Sequence, residues 1–479
     1  MLGSATIIVD IIDNEIDALR TREDGVYRIG CGAGFSGDRI DAPQAVVAAI
    51  AAAGQRGAII FETLGERTLA LRQMARHDNP SKGYEPLLED LLEPILGPCL
   101  TAGIVIVGNF GAANPVGAAI VIQRLAQRLG LAAPRVAVVE GDDLLGKVAL
   151  EDTERWDGDS RLPELVGEVI AINAYLGAGA IADAIRAGAE IVVTGRVADP
   201  ALALGPLVAH FGWEWTDLDR IAAGTLVGHL LECGAQVTGG YFADPGVKDV
   251  PGMADLGFPI AEVEADGSFV ITKPAGSGGR VDRLTVTEQL LYEIHDPAAY
   301  LTPDVTLDLT SVTLEPAGPD RVRVSGARGH AAPKTLKATV NVLGDWLGEA
   351  EISYAGTNAL ARARLAIETI AERLVRRGLA VRHRAEVIGT VSAFDADAGP
   401  LLAAHAAPAD GDFRVRFAFG GTQARDVQRA VDEVNALYCC GPAGGGGVRT
   451  SVRPRVRTLS HLVSREAVVP SFHFVGIAA

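Results

Sequence analysis

IVVTGRVADP, residues 191–200, is the stretch that decides the fold of this chain. Ile191 to Val193 form a short run of β-branched residues, which is typical of a strand buried on both faces. The run leads directly to Arg196 and Asp199, so the strand delivers polar side chains to a loop. Polar groups beside a buried strand are costly to bury without a partner, and we therefore expect a ligand-binding site there.

The same succession of short apolar strand, polar loop and helix repeats from Gly25 to about His210. This pattern of βαβ units predicts an α/β domain with a parallel sheet, helices on both faces and a Rossmann-like character. Ligands bind such sheets at the carboxyl ends of the strands. Five strand ends carry polar side chains that we expect on one rim: Asp38 with Arg39, Glu62, Asn109 with Asn114, Glu140 with Asp142 and Asp143, and Arg196 with Asp199.

After about Gly279 the strands are closely spaced and several alternate, which predicts an antiparallel sheet with one solvated face. Two long helices, about Ala359 to Arg377 and about Ala424 to Tyr438, are expected to pack on it. We therefore predict an α/β domain over residues 1–280 and an α+β domain over residues 281–479. A chain of 479 residues is also too long for a single core.

The composition is that of an ordinary folded protein, with 22% charged and 48% apolar residues. A net charge of −17 without a long basic tract argues against nucleic acid as a partner. The five cysteines show no CxxC spacing, which favours a reduced, cytoplasmic protein without a structural zinc site. Neither a signal peptide nor a membrane-spanning segment is expected, because acidic residues interrupt the N-terminal apolar patch and polar residues interrupt the longest apolar region.

GAGFSG, from Gly32 to Gly37, matches GxGxxG between a strand and a helix, and Glu62 ends the next strand. This is the formal pattern of dinucleotide binding. Asp38 and Asp41, however, stand where the phosphates of a dinucleotide would lie. The pattern therefore favours a strand-to-helix turn whose glycines serve another ligand or the backbone, with a dinucleotide site as the alternative.

Arg196 and Asp199 are the strongest candidates on the rim. Arg196 can bind a substrate carboxylate through two hydrogen bonds, and Asp199 can orient it or act as a base; a structural ion pair is the alternative. Asn109 and Asn114 bracket a glycine loop at a helix N-terminus. They suit carboxylate or oxyanion binding through their amides, or else turn and cap chemistry.

The carboxylates of the rim allow two further interpretations. Glu62, Glu140, Asp142 and Asp143 could include an acid and base pair, because different environments separate the pKa values of two carboxyl groups. They could also form a magnesium site, although no spacing defines one, and Asp142 with Asp143 could simply cap a helix. No cofactor is predicted, and a divalent metal stays open.

The segment that follows the opening strand adds weaker candidates. Tyr241 comes after Gly239 and Gly240, and could donate a proton from a loop that lines the ligand. His229 and Cys233 lie four residues apart on a helix and could form an activated nucleophile, but a buried thiol beside a satisfied histidine is commoner. The remaining substrate contacts are expected from Asp38, Arg39, Gly239 and Gly240.

Long strings of residues resemble the acyclic terpene utilisation AtuA-like family and cover nearly the whole chain. The strings are GAGFSGDRID from Gly32, FETLGERTLA from Phe61, NFGAANP from Asn109, EGDDL from Glu140, TGRVADPAL from Thr194, AAGTLVGHLLECGAQVTGGYFADPG from Ala222, ITKPAGSGG from Ile271, YEIHDPAAYLTPDV from Tyr292 and CCGPAGGGGVRTSVRPR from Cys439. The resemblance implies a catabolic protein that accompanies acyl-CoA enzymes of branched terpenoid or organic-acid breakdown, with no catalytic residues to carry over. It also implies a small ferredoxin-like partner subunit.

These features predict a catabolic enzyme for a small carboxylic acid or its CoA thioester, acting by acid-base addition or elimination as a hydratase or lyase. Arg196 would anchor a carboxylate, and Asn109 with Asn114 would stabilise an oxyanion. The proton would be moved by Asp199, Glu62 or Asp142. The alternatives are a nicotinamide-dependent oxidoreductase and a noncatalytic scaffold that binds acyl-CoA. A homo-oligomer is expected, as for most soluble assemblies.

Overall fold

The computed structural model describes residues 25–54, 56–156, 167–390 and 410–476. The chain divides into two compact units. Unit 1 comprises residues 1–158, 171–340 and 458–479, and unit 2 comprises residues 159–170 and 341–457. Both units are therefore assembled from segments that are distant in sequence.

Most of the described strands are short, as expected for buried strands in a mixed fold. In chain order they are β1 (Tyr27–Ala33), β2 (Gly57–Phe61), β3 (Ile104–Gly108), β4 (Val136–Glu140), β5 (Glu154–Arg155), β6 (Glu168–Ala174), β7 (Ile191–Thr194), β8 (Ile260–Val263), β9 (Phe269–Thr272), β10 (Tyr300–Leu301), β11 (Thr306–Asp308), β12 (Thr313–Pro316), β13 (Val322–Ser325), β14 (Arg328–His330), β15 (Thr335–Gly356), β16 (Arg382–Ile388), β17 (Gly411–Gly421), β18 (Gly446–Ser464) and β19 (Ser471–Val475).

The described helices alternate with the strands in the first half of the chain. They are α1 (Ala42–Ala52), α2 (Glu66–Asp78), α3 (Leu88–Leu92), α4 (Leu96–Ala102), α5 (Pro115–Arg128), α6 (Gly179–Arg186), α7 (Ala201–Phe211), α8 (Leu218–Leu231), α9 (Arg283–Leu291), α10 (Ala359–Arg376), α11 (Ala424–Asn435) and α12 (Leu437–Cys440). Within the described parts of the chain, none of the helices has the length and apolar character needed to cross a bilayer.

A ten-stranded mixed sheet forms the centre of unit 1, in the order β12-β13-β9-β8-β1-β2-β3-β7-β4-β19. Its middle strands β1, β2, β3, β7 and β4 are parallel, which confirms the parallel strands predicted from the βαβ pattern. Antiparallel strands flank them, since β8 pairs with β1 and β19 pairs with β4. The five parallel strands therefore present their carboxyl ends at one edge of the sheet.

The antiparallel side of this sheet explains where residues 281–340 belong. Strand β13 pairs with β9, and β12 pairs with β13, so both join the sheet of unit 1. The domain boundary predicted at residue 280 consequently lies inside unit 1. The alternation of β13 is real, because Val322 and Val324 are buried while Arg321 and Arg323 form ion pairs with glutamates. Alternation reveals an antiparallel strand but not the sheet that it joins.

Unit 2 contains the predicted antiparallel sheet with two long helices. The chain passes through the second part of β15, α10, β16, β17, α11 and the first part of β18, a βαββαβ succession with sheet order β16-β17-β15-β18. This is the connectivity of ferredoxin-like units. Strand β17 is antiparallel to both β15 and β16. Phe413, Phe417 and Phe419 from one sheet face pack with Ile370 and Val431 from the helices in a single core.

Two glycines allow the C-terminal end of α8 to pack directly on loops at the carboxyl edge of the unit 1 sheet. A Cβ atom at Gly228 would lie 2.4 Å from the Pro200 carbonyl oxygen, in the loop after β7. A Cβ atom at Gly34 would lie 2.4 Å from the Cys233 carbonyl carbon, just beyond α8. Any larger residue at either position would force α8 away from these loops.

We predict that Gly228→Ala destabilises the protein, because the added methyl group overlaps the Pro200 backbone. Overpacking of this kind lowers the free energy of unfolding by about 1–3 kcal/mol. Denaturant unfolding followed by circular dichroism measures the loss. Gly179→Ala in α6 is the matched control, since a Cβ there meets no atom within 4 Å. It should be neutral or stabilising by up to ~1 kcal/mol. Equal stability of the two variants would refute the packing account.

Candidate functional site

Arg196, in the loop after β7, lies at the centre of a buried polar cluster in unit 1. Its side chain is 1% exposed, and Nε donates a hydrogen bond to the Val197 carbonyl at 2.8 Å. The two terminal nitrogens donate to the carbonyls of Leu64 and Val197 and to the Asp199 carboxylate. The Tyr175 ring lies 4.3 Å from the guanidinium carbon. Every guanidinium nitrogen thus has a protein acceptor in this conformation.

Asp199 is the member of this ion pair that reaches the solvent. Its side chain is 34% exposed, against 1% for Arg196. Removal of the rest of the carboxyl group from water raises the pKa of Asp199, although Arg196 opposes that shift and Glu66 adds to it. The Asp199 carboxyl group therefore contacts a buried cation and is also accessible to solvent.

Glu62 and Asn109 follow the neighbouring strands β2 and β3 and are bonded to each other. Asn109 Nδ2 donates to Glu62 Oε1 at 2.8 Å, and the Leu64 amide donates to the same oxygen at 2.8 Å. Asn109 Oδ1 accepts the Thr63 amide at 2.7 Å, which fixes the orientation of the Asn109 amide. Burial raises the pKa of Glu62 to about 8, and the nearby Asp199 adds to the shift. The Glu62 carboxyl group therefore holds its proton to a higher pH than an ordinary glutamate does.

Asp142, which follows β4, binds the backbone of the loop that contains Arg196. Its Oδ2 accepts the Arg196 backbone amide at 2.9 Å and Asn173 Nδ2 at 2.9 Å. Gln73 Nε2 in turn donates to Asn173 Oδ1 at 2.9 Å. Burial raises the pKa of Asp142 to about 6. The contacts of Asp142 are all with neutral protein donors, so it positions the loop.

Glu66 and Lys337 complete the other side of the cluster. The Tyr175 hydroxyl and Lys337 Nζ both donate to Glu66 Oε1 at 2.6 Å. The Lys337 ammonium also lies 4.9 Å from the centre of the Tyr175 ring, so this ring is shared between Lys337 and Arg196. Burial favours the neutral acid, but the attraction of Lys337 outweighs it and lowers the pKa of Glu66 to about 2. Glu66 and Lys337 are therefore a neutralised pair.

The end of α8 contributes His229 and Glu232. His229 Nδ1 lies 3.0 Å from Glu232 Oε1, and Nε2 lies 3.2 Å from the Leu290 carbonyl oxygen. Burial raises the pKa of Glu232 to about 7, and Asp199 contributes to the shift. Hydrogen bonds to Glu232 and Leu290 satisfy His229, as the sequence pattern favoured. Burial also raises the pKa of the Cys233 thiol, which disfavours the thiolate that a nucleophile requires.

In the glycine-rich segment that begins in β1, Gly32 and Gly34 allow close packing against neighbouring residues. A Cβ atom at Gly32 would lie 2.5 Å from the Phe61 ring, and Gly34 faces the end of α8. Asp38 Oδ2 accepts a hydrogen bond from the Gly34 amide at 2.8 Å, so this backbone N–H already donates to a carboxylate of the chain itself. Arg39 pairs with Asp41 at 2.8 Å and donates to the Leu256 carbonyl at 3.1 Å. These contacts are internal to the turn and its neighbouring loop.

Asn114 caps α5. Its Oδ1 accepts the Gly117 amide at 3.0 Å, and its Nδ2 donates to the Lys82 carbonyl at 3.0 Å. Of the two asparagines predicted to bind an oxyanion, only Asn109 has a described contact with the polar cluster. Glu140 is exposed, and Asp143 accepts the Leu145 amide at 3.1 Å.

Tyr241 lies on the surface with 84% of the residue exposed and a φ of 60°. The glycines before it serve close packing, because a Cβ at Gly239 would lie 2.8 Å from Val250 and one at Gly240 would lie 2.9 Å from the Ala235 carbonyl oxygen. No described contact joins Tyr241 to Asp199. The structure therefore brings Glu62, Asn109, Asp142, Arg196 and Asp199 together and leaves Tyr241, Gly239, Gly240, Asp38, Arg39 and Asn114 outside that hydrogen-bonded group.

Two open cavities in unit 1 lie elsewhere. One of about 410 Å³ is lined by residues including Arg28, Glu262 and Lys273, and one of about 190 Å³ by residues including Arg72 and Lys82. Neither is lined by Arg196 or Asp199. In the part of the chain that the structure describes, no group of three or more His, Cys, Asp or Glu side chains is arranged to hold a metal ion.

Comparison with known proteins decides the family. The family model described as "Acyclic terpene utilisation family protein AtuA" matches residues 27–474. The chain belongs to the AtuA family. This confirms the resemblance found in the sequence, and the family name connects the chain with acyclic terpene utilisation.

Other comparisons add little to this family assignment. A search of curated proteins gives no match. Among solved structures, the chain is similar to "De novo designed protein Foldit4", with 13% identity over 23% of this chain and 98% of that chain and a TM-score of 0.17. A TM-score this low supports no argument about this AtuA family member.

Sequence reasoning missed several residues of the cluster in this AtuA family member. They are Glu66, Gln73, Asn173, Tyr175 and Lys337. Asn173 had a signal, because it is a polar residue in the otherwise apolar end of β6. Lys337 had none, since its partner Glu66 lies 271 positions away.

We predict that the Glu66–Lys337 pair makes stability depend on pH between about 4.5 and 2. The folded pKa of about 2 lies below the ordinary value of 4.5, so the unfolded chain takes up the proton first as the pH falls. The stabilisation is therefore present above pH 4.5 and is lost toward pH 2. Glu66→Gln should lose this acid dependence in urea unfolding measured across that range.

Lys337→Met is the matched variant, because it removes the other half of the same pair. It should lose the same acid dependence, and the double variant should lose no more than either single variant. Acid dependence that survives unchanged in both single variants would show that the pair does not contribute to it.

Proposed function

We propose that this AtuA family member is an enzyme of the hydratase or lyase type that acts on an acyl substrate by acid-base catalysis. The support is the contrast between two neighbouring carboxyl groups. Glu62 is buried among neutral donors and has its pKa raised to about 8, whereas Asp199 contacts a buried cation and reaches the solvent. Carboxyl groups whose environments separate their pKa values can divide the roles of acid and base.

In the direction of hydration, the Asp199 carboxylate takes a proton from water as the water oxygen bonds to the β-carbon of an unsaturated acyl group. The Glu62 acid gives its proton to the α-carbon, and elimination is the reverse. Arg196, Asn109 and Asp142 are positioning residues in this scheme, because their contacts lead to Asp199, Glu62 and the loop backbone. Arg196 therefore acts through Asp199 and is not proposed as a substrate anchor.

The family connection with acyclic terpene utilisation supports a catabolic role with a branched, terpenoid or other small carboxylic acid, or its CoA thioester, as substrate. Rossmann-like domains bind their ligands at the carboxyl ends of parallel strands, and the polar cluster lies at that edge of the sheet. Its position therefore agrees with a role in binding such a substrate. A cytoplasmic location, a homo-oligomer and a small ferredoxin-like partner subunit belong to the same proposal. A noncatalytic scaffold that binds acyl-CoA is the second candidate, which the partial exposure of Asp199 also allows.

Hydration of 3-methylbut-2-enoyl thioesters, followed by mass spectrometry as the gain of one water, tests the proposal. Glu62→Gln and Asp199→Asn should each lower turnover by at least about 100-fold, because each removes one proton-transfer group. Glu140→Gln is the matched control, since Glu140 ends the neighbouring strand β4 but is exposed. Full activity in Glu62→Gln would exclude the assigned roles. A thioester that binds but is never converted would favour the scaffold.

The pH profile gives a further prediction. Glu62 must carry its proton to act as the acid, so kcat should fall as the pH rises through about 8. The alkaline limb should be absent from the residual activity of Glu62→Gln. An alkaline limb of the same position in that variant would assign the titration to another group.

A further inference from the structure

The cations around the candidate site are already paired within the protein. Arg196 and Lys337 each lower the pKa of Asp199, and His229 lowers the pKa of Glu232. Arg196 is bound to Asp199. Lys337 is bound to Glu66 at 2.6 Å, and His229 to Glu232 at 3.0 Å. The Arg196 guanidinium therefore has no open pair of N–H donors with which to hold a substrate carboxylate, and Lys337 and His229 each already contact a glutamate.

Acidic groups outnumber these cations. Glu62 has only neutral hydrogen-bond donors, and Glu293 raises the pKa of Glu232 and Cys233 from nearby. Each of these three side chains contacts one carboxyl group, and Glu62 and Glu293 add to the acidic groups, so the described groups provide no excess positive charge. A substrate carboxylate would enter as an additional negative charge without a counterion, and burying such a charge is unfavourable.

We infer that the acyl group bound at this site is uncharged, as in an ester, thioester or amide, and that a free carboxylate is excluded. The inference rests on the proposed function, because it names the substrate class of the same site. A neutral carbonyl oxygen needs no counterion. The Arg196–Asp199 pair can therefore stay intact when such a group binds.

A variant that frees the buried guanidinium tests this inference without any turnover. Asp199→Ala removes the carboxylate from Arg196 and opens a space on the side where Asp199 reaches the solvent. Acetate should fill that space. In calorimetric titrations at neutral pH, with chloride keeping the ionic strength constant, acetate should bind Asp199→Ala at least about tenfold more tightly than the wild type.

Asp142→Asn is the matched control. It removes a buried carboxylate from the same loop, but Asp142 contacts the Arg196 backbone amide and not the guanidinium. It should therefore bind acetate no better than the wild type. Acetate binding by the wild type that is as tight as binding by Asp199→Ala would overturn the inference.

A measurement on the wild type keeps the inference testable if Asp199→Ala does not fold. The N-acetylcysteamine thioester of 3-methylbut-2-enoate is neutral and lacks the phosphates of CoA. It should bind the wild type at least about tenfold more tightly than the free acid. Any smaller ratio overturns the inference.

The inference and the proposed function fail in different ways. Hydration of the free acid, with loss of activity in Glu62→Gln, would disprove the exclusion of carboxylates and keep the acid-base mechanism. Exclusion of acetate by the wild type and its capture by Asp199→Ala, without hydration of any thioester, would support the inference and disprove the reaction.

Discussion

The burial of Arg196 is the constraint on which the rest of the site depends. A guanidinium that is 1% exposed must find acceptors for its nitrogens inside the protein. They come from the loop after β2, through the Leu64 carbonyl, and from the loop of Arg196 itself, through Val197 and Asp199. These acceptors converge only when β2, β3 and β7 are neighbours in parallel register. The pairing of the strands and the assembly of the site are thus one structural requirement.

The residues that line the carboxyl edge reach one another because glycines remove the side chains that would separate them. Gly34 and Gly228 let the end of α8 approach the loops after β1 and β7, which places Glu232 near Asp199. Gly32 leaves room for the Phe61 ring directly before Glu62. The first two glycines of the GxGxxG pattern therefore have a physical explanation in packing. The same residue type that brings a backbone close to a pyrophosphate brings it close to a helix.

Much of the parallel sheet could be predicted from the sequence, because strands buried on both faces are continuous apolar runs and their polar ends are conspicuous. The strand at residues 191–194 and the Arg196–Asp199 pair follow from that signal. The antiparallel flanks could not be placed, since β19 pairs with β4 across more than 300 positions and neither strand encodes its partner. The sequence also does not show whether the Arg196 guanidinium is free to bind a ligand. Whether a guanidinium is open to a ligand depends on carbonyls such as that of Leu64, which lies 132 positions away.

Arg196 acts on the two central carboxyl groups in different ways, through an ion pair with Asp199 and only at a distance on Glu62. Asp199 takes the direct contact with Arg196, so part of the penalty of burying its charge is offset. Glu62 receives hydrogen bonds from two neutral donors, which stabilise its anion less than a cation would, and its pKa rises to about 8. A cation in the place of Asn109 would stabilise the Glu62 anion more strongly and lower the pKa of this group. In the proposed mechanism, the neutral amide of Asn109 therefore matters because it lets the pKa of Glu62 stay raised.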